Sequence, residues 1–400
     1  MLFLMEETLL KNIRYQITTI LTYLFFDLSI CFSAFTPFPK PTDTLGPSLR
    51  IRVEKNLPKF SVSGMDLKRT LHLSQNKALF GGQKKIVFNC KKALNSSRQL
   101  GRKTLLASIE SPTGFISLMR DRYQGRLLIF SSFRKKGCDV VHDTFMESYI
   151  SSLLAKEMNE SWPAEALKAQ AIAARTYAYA LWEKKIKRKR NYSFHLDSSE
   201  FHQVSGDFFD ITNKTYALTR STKGMVLMTK DGKIVPAFYH AKCGGRILTP
   251  EAVWGNYTKG YKSKKCSFCY KHGKKSWSSR VPKERIISFI KGKKKRNKKI
   301  KGTLRLVPNN FEDSFMRYYI GDDLFVVDKI SLRKAFGRKV LPSHYFRGKV
   351  TKKNLTFKGR GRGHGVGMCQ LGALDLAQKG WDYKKILRYY YPNLVIRTVY

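Results

Sequence analysis

The segment "SWPAEALKAQAIAARTYAYA", Ser161 to Ala180, constrains the fold of this chain more than any other stretch. It holds two cations, Lys168 and Arg175, in a chain whose 76 lysines and arginines face 29 aspartates and glutamates. Alanine favours helix, proline is tolerated in a first helical turn, and Glu165 sits well against a helix N-terminus. The segment therefore predicts a helix starting near Pro163. Leu167, Ala171, Ala174, Ala178 and Leu181 fall on one face of it, and small side chains there let a neighbouring helix approach closely. Most of the run is packing. Its polar members stand apart, and Lys168, Gln170 and Arg175 are the ones expected to bind a substrate.

The preceding stretch, "DTFMESYISSLLAKEM", reads as a second helix, because Met146, Ile150 and Leu154 recur every fourth residue. Thr144 and Glu147 have the spacing of a capping box. Glu157 falls four residues after Leu153 and seven after Ile150, near the apolar stripe. A carboxyl group there loses solvation, which disfavours its charged form and raises its pKa. A general acid working near neutral pH needs that shift. The competing reading is that Glu157 marks the helix end and points to water.

Composition bounds the rest. A chain of 400 residues, 42% hydrophobic and 13% aromatic, can bury one large core or two modest ones. Its formal charge of +47 calls for an acidic partner. The densest basic runs, residues 183–191 and 291–302, contain no aromatic residues for bases to stack on, so they read as solvated insertion loops and nucleic acid is a poor partner. Residues 1–36, in which Lys11 and Arg14 precede the mostly apolar run Tyr15 to Phe35, read as a signal peptide or signal anchor and as the contact with a membrane. An extracytoplasmic location, periplasm or cell envelope, follows from that reading, with the chain anchored or secreted. Residues 37–48 are a Pro-rich linker. Residues 49–136 alternate short β-branched and aromatic runs with Gly, Pro, Asn and Ser, as a β-rich subdomain does.

Two later blocks carry further signals. In "FYHAKCGGRILTPEAVWG" (Phe238 to Gly255), His240 and Cys243 are followed by Cys266 and Cys269, a set able to complete a tetrahedral zinc site. A disulfide using Cys243, or Cys266 with Cys269, competes with the metal, and His272 is near enough in sequence to replace His240. In "GRGRGHGVGMCQLGALDLAQKGWDYKKILRYYYPN" (Gly359 to Asn393), glycines flank His364 and would let backbone approach a sugar, with Gln370 available to hydrogen-bond it. The block lacks the Lys-Ser/Thr of a phosphate loop.

Together, "EMNESWPAEALKAQAIAARTYAYA" and these two blocks, in this order, resemble the stage II sporulation protein D (SpoIID)/LytB family. The resemblance implies an α+β, SpoIID-like fold, in which the β-rich subdomain precedes a helical catalytic core with irregular β segments over residues 137–400. It also implies a peptidoglycan lytic transglycosylase, with Glu157 as the catalytic acid and glycan strands as the substrate. Glu165 ranks second, as a capping or structural residue. Other family members are described as amidase enhancers, so a non-catalytic wall-binding activator of a cell-wall amidase is the alternative. Zinc occurs in some SpoIID-like proteins and would be structural here. The sequence departs from the family pattern at Asn159, where Pro is frequent, and at Cys369, where Ser is common.

Overall fold

Short apolar runs broken by glycine, proline and serine build the first half of the chain into one sheet. The computed structural model describes residues 46–400 apart from 73–77, 91–102, 113, 133–136, 189–191, 199–202, 204–205, 273–275 and 294–301. The leader and most of the linker expected at 37–48 lie outside the described residues. Among the described residues, no helix is long and apolar enough to cross a membrane.

Eight strands come first: β1 (Ser48–Leu57), β2 (Lys59–Leu71), β3 (Ala78–Asn89), β4 (Leu105–Glu110), β5 (Ile116–Leu118), β6 (Asp121–Tyr123), β7 (Arg126–Ser131) and β8 (Cys138–Phe145). They lie in the order β6-β5-β2-β4-β7-β8-β1, with β3 paired to β2, and a ninth strand, β9 (Leu196–Asp197), adds in parallel to β1. Their inward residues, among them Val62, Leu67, Ile86, Ile109, Leu127, Ile129 and Val140, form one apolar cluster. A disulfide between Cys90 and Cys138 ties the end of β3 to the start of β8. The sheet runs past the expected boundary at 136, because β8 completes it and feeds straight into the first helix.

That helix, α1 (Met146–Glu157), begins without a side-chain cap. Thr144 is a strand residue pairing with Leu49, so the capping box read from the sequence does not form, and Glu147 turns into the interior instead. After α1 the chain reverses through Asn159, whose side chain accepts from the Ser161 amide at 2.9 Å while its carbonyl accepts from the Trp162 amide at 3.1 Å.

The alanine-rich run is α2 (Ala164–Lys187), with Pro163 as its N-cap. Its expected face, Leu167, Ala171, Ala174 and Ala178, packs on Leu49, Ile51, Ile150 and Leu154. A second face carries Ala169, Ile172 and Ala173 into another cluster with Met368, Leu376, Ile386 and Tyr390. A helix apolar on both sides is a buried central helix, and the alanines allow both cores to close on it. The basic run at 183–191, expected as a loop, is helical through Lys187, because it is the solvated end of α2.

The remaining elements wrap α2. They are α3 (Asn213–Ser221), β10 (Met225–Met228), β11 (Tyr239–His240), β12 (Arg246–Ile247), α4 (Pro250–Trp254) and β13 (Lys264–Lys265). Next comes a module with its own core, made of β14 (Trp277–Pro282), α5 (Lys283–Lys293), β15 (Leu304–Leu306), β16 (Phe315–Ile320), β17 (Asp323–Asp328), α6 (Lys329–Phe336), β18 (Phe346–Val350) and β19 (Asn354–Gly359). The run at 291–302 was expected as a basic insertion in the catalytic region, yet Lys291–Lys293 end α5 inside this folded module. The chain closes with β20 (Met368–Cys369), α7 (Gln370–Gln378), α8 (Tyr383–Tyr390) and β21 (Val395–Thr398), which pairs with β10. Strands and helices share the molecule, so the fold class is α+β.

The Cys90–Cys138 bridge closes a loop of 48 residues, for which the chain-entropy account gives about 4 kcal/mol of stabilisation. Replacing both cysteines by alanine is expected to lower the denaturant midpoint by a corresponding amount, and reductant is expected to destabilise the unsubstituted protein but not the variant.

Candidate active site

Glu157 is the last residue of α1 and is half-buried. Burial raises its carboxyl above the usual 4.5, and a hydrogen bond from Gln370 partly offsets the shift. The negative end of the α1 dipole acts in the same direction as burial. The Gln370 Nε2 donates to Glu157 Oε2 at 3.4 Å across 213 residues of sequence. Burial pushes the hydroxyls of Tyr149 and Tyr239 well above their usual pKa, and the Glu157 charge adds to the shift. Among the described residues, no second carboxylate contributes to the ionisation of Glu157.

Gln370 reaches Glu157 because the glycine-rich block is sewn onto β11. Strands β11 and β20 pair in parallel, Tyr239 opposite Met368 and His240 opposite Cys369. Lys242 and Arg362 exchange backbone hydrogen bonds at 3.0 and 2.7 Å, and Leu248 donates to Gly365 O at 2.7 Å. Glycine is required for this approach: a Cβ on Gly367, at φ +69°, would stand 2.0 Å from the Phe238 carbonyl oxygen. Gly363, at φ +111°, would meet the His240 Cβ at 2.8 Å.

The other expected substrate residues separate. Gln170 is fully buried in α2, and neither its amide oxygen nor its nitrogen has a protein hydrogen-bond partner. Lys168 donates to Glu165 Oε1 at 2.8 Å, and Glu165 Oε2 accepts from the Tyr383 amide at 2.8 Å. Glu165 thus joins the starts of α2 and α8. His364 accepts from the Val366 amide through Nδ1 at 3.1 Å, and its ring lies 5.6 Å from His240 and 5.2 Å from Trp254.

Arg175, expected at a substrate, has 0% exposure. Its guanidinium grips Glu147 through Nε at 2.8 Å and Nη2 at 2.7 Å, and also donates to the carbonyls of Met225 and Thr219 at 3.2 Å. All this hydrogen bonding is internal, so Arg175 holds the fold rather than a ligand. The Glu147 carboxylate takes further bonds from the Gly224 amide and the Tyr400 hydroxyl. Sequence spacing hid this pair because its members are 28 residues apart on different helices.

The metal candidates gather more tightly than the sequence implied. Cys243, Cys266, Cys269 and Cys369 are free and buried, and the Cys243 and Cys269 sulfurs are 3.3 Å apart. Cys369 was not in the expected set, although its departure from serine was the available signal. Its Sγ accepts from the Cys243 amide at 3.3 Å, and His240, Cys243 and Cys369 offer ligand atoms within 4.8 Å of one another. Hydrogen bonds from Cys243 and Cys369 favour the thiolate on Cys269, whereas burial pushes the Cys369 thiol up. His240 Nδ1 lies 3.0 Å from Val366 O, while its Nε2 is buried without a protein partner. No disulfide forms here. His272 does not join the cluster, since its Nε2 lies 3.4 Å from Asp375.

With this geometry in view, comparison with known proteins places one segment of the chain. Residues 134–229 match the family described as Stage II sporulation protein, SpoIID. The chain carries a SpoIID domain. It is similar to an uncharacterized protein of Brachyspira hyodysenteriae, with 28% identity over 64% of this chain and 68% of that protein. It is also similar to the stage II sporulation protein D of Bacillus subtilis, 27% identical over 63% of this chain and 74% of that protein. The amidase enhancer of Bacillus subtilis is 24% identical over 62% of this chain, which spans 40% of the enhancer's length. The matched SpoIID residues contain Glu157, Gln170 and Arg175, and end before His240.

Two expectations follow. Replacing Arg175 by Met leaves Glu147 charged and buried, and is expected to cost about 3–5 kcal/mol in denaturant unfolding, far more than a surface arginine would. For Glu157, the folded state binds a proton more tightly than the unfolded chain, so stability falls as pH rises from 4.5 through the raised folded value. Glu157→Gln, which cannot ionise, is expected to be more stable than the native protein above that window and level with it below pH 4.5, as read by denaturant midpoints across pH.

Proposed function

We propose that this protein is a peptidoglycan lytic transglycosylase. The observation that carries the reading is Glu157: a single half-buried carboxyl with a raised pKa, at a helix end within the SpoIID match, held by the amide of Gln370. Hydrolysis of a glycosidic bond normally uses two carboxyl groups and a water. One is sufficient when the substrate supplies its own nucleophile. The Glu157 carboxyl donates its proton to the oxygen leaving the anomeric carbon of N-acetylmuramic acid. The carboxylate then takes the proton of the C6 hydroxyl as that oxygen attacks the same carbon, closing a 1,6-anhydro ring and regenerating the acid. Gln370 orients the carboxyl. The basic surface holds the acidic polymer while the low-charge interior around α2 keeps the acid in place.

The location that fits this substrate is the cell envelope. The Cys90–Cys138 disulfide suits an oxidising, exported compartment, and the leader suits export or anchoring. A cell-wall amidase is the partner suggested by the relative named an amidase enhancer.

A structural zinc fits the cysteine cluster. Its donors would come from Cys243, Cys266, Cys269, Cys369 and His240, the histidine offering its unpartnered Nε2. The ion would neutralise thiolates and clamp β11 to β20. Purified protein is expected to hold zinc, and Cys369→Ser to bind it more weakly and melt at a lower temperature, as read by metal analysis and thermal unfolding.

The reaction is tested by mass spectrometry of glycan strands, with and without stem peptides, after incubation with residues 37–400. Anhydro-ended fragments are expected, with Glu157→Gln lowering their rate by about 10²–10⁴-fold. The native rate should decline as pH rises through the folded pKa of Glu157, because the protonated form is the reactant. Strands left uncut but bound, with amidase activity stimulated equally by both proteins, would overturn the reading in favour of a wall-binding activator.

A further inference from the structure

A recess of about 340 Å³ lies between β1 and the last turns of α2. Its charged and polar lining is Arg50, Lys185, His195, Tyr192 and Ser48, while Trp182 and Ile186 supply apolar wall. No carboxylate and no thiol lines it. Lys185 stands about 30 Å along α2 from Ala164, by the helical rise per residue. The recess is therefore at the opposite end of that helix from Glu157.

Its two cations are not matched. Arg50 comes no closer than 3.8 Å to Asp143, and that carboxylate already accepts from Arg126 at 2.6 Å and from the Ser48 hydroxyl at 3.1 Å. Lys185 makes no ion pair among the described residues: its ammonium donates to the Phe194 carbonyl at 2.7 Å and lies over the rings of Phe194 and Tyr192, at 4.5 and 5.2 Å. Asp197 and Asp139 are near, but Arg52 pairs with both and Lys103 with Asp139 as well. Burial, and next the charge of Arg52, pull the Lys185 ammonium down to about 8. An anion bound beside it would offset that cost.

His195 adds a neutral donor. Its Nδ1 accepts from the Arg50 amide at 2.9 Å, and burial, followed by the charges of Arg50 and Lys185, holds its pKa down to about 4. A neutral ring that accepts through Nδ1 carries its proton on Nε2. Two unmatched cations with an N–H beside them suit an anion of more than one charge and several acceptor oxygens. A carboxylate brings one charge and two oxygens, whereas a phosphomonoester brings about 1.5 to 2 charges and three terminal oxygens at pH 7. A guanidinium meets phosphate through two parallel hydrogen bonds. The volume exceeds that of one phosphate group and falls in the range of small-molecule sites. Its surplus adjoins Trp182 and Ile186, where the organic part of an ester can pack.

We propose that this recess is a binding site for a phosphomonoester, with Arg50 and Lys185 on the phosphate oxygens, His195 Nε2 as a third donor and Trp182 against the organic remainder. The site uses none of the residues of the transglycosylase reading and does not depend on it. The same phosphomonoester chemistry is carried by soluble sugar and glycerol phosphates and by the headgroup of phosphatidic acid in a bilayer.

The test uses the full chain in neutral-detergent micelles, with glycerol 3-phosphate as probe and calorimetry as readout. Binding is expected, with Lys185→Met and Arg50→Gln each weakening it at least about tenfold. The thermal midpoint of Lys185→Met should be unchanged, so this variant decides the matter even if Arg50→Gln disturbs β1. Lys349→Met with Lys352→Met removes more charge, from exposed positions of the module, and is expected to alter the affinity less than about twofold. Acetate is expected not to compete. Micelles carrying phosphatidic acid separate the two sources. Competition with glycerol 3-phosphate in the native protein assigns the site to a membrane headgroup, and an unaltered affinity assigns it to a soluble ester. Absence of glycerol 3-phosphate binding, or a loss in the Lys349 and Lys352 control equal to that in Lys185→Met, would overturn the proposal, because general basicity would then account for everything seen.

Discussion

The ion pair between Arg175 and Glu147 is the contact on which the packing of the central helices depends. A guanidinium at zero exposure is tolerable only if its hydrogen bonds are met, and here the partners come from α1, from the end of α3, from β10 and, through Tyr400, from the chain's last residue. Each partner fixes one element relative to the middle of α2. Buried ion pairs contribute little net stability against a well-packed apolar alternative. What this one provides is register, because α1 can sit against α2 in only one way if both carboxylate oxygens are to be met. Glu157 lies at the far end of α1, so its position follows from a pair formed near the helix start.

The second determinant is backbone proximity. The parallel pairing of β11 with β20 is only two residues long, yet it carries Tyr239 and His240 on one strand and leads directly into Gln370 on the other. Glycines make it possible, since a Cβ at Gly367 would collide with the Phe238 carbonyl. The same pairing lays Cys369 opposite His240, which is why the thiol cluster and the hydrogen-bond partner of Glu157 are neighbours. A clamp on the cluster would also hold Gln370.

Charge is distributed by burial. Lys184, Lys187 and Arg188 at the end of α2 are exposed, while its buried faces carry alanine, leucine and tyrosine. Exposed charges of this kind are screened by water and counterions. The few buried charges, Arg175 and Lys329 among them, are matched by carboxylate or carbonyl oxygens. The module of residues 277–359 is the largest feature without a sequence signature, because its strands are short and its basic segment looks like a solvated insertion.

The sequence by itself determined the α+β class, both central helices, the strand-rich first half and the motif that places Glu157 near an apolar stripe. These are local properties: period, propensity and spacing act over a few residues, so they are legible without the fold. Which polar residues face a ligand was not. Arg175 and Gln170 stand in the same motif, five residues apart, yet one is consumed by Glu147 and the other is buried without a protein partner. The capping box failed for the same reason, since β8 needed Thr144 and Arg175 needed Glu147. Cys369 joined the thiols, and Cys90 found Cys138, through contacts between distant segments. Only the tertiary structure decides such pairings, because a buried polar group takes whichever partner the packed fold delivers, and chain spacing carries no record of that choice.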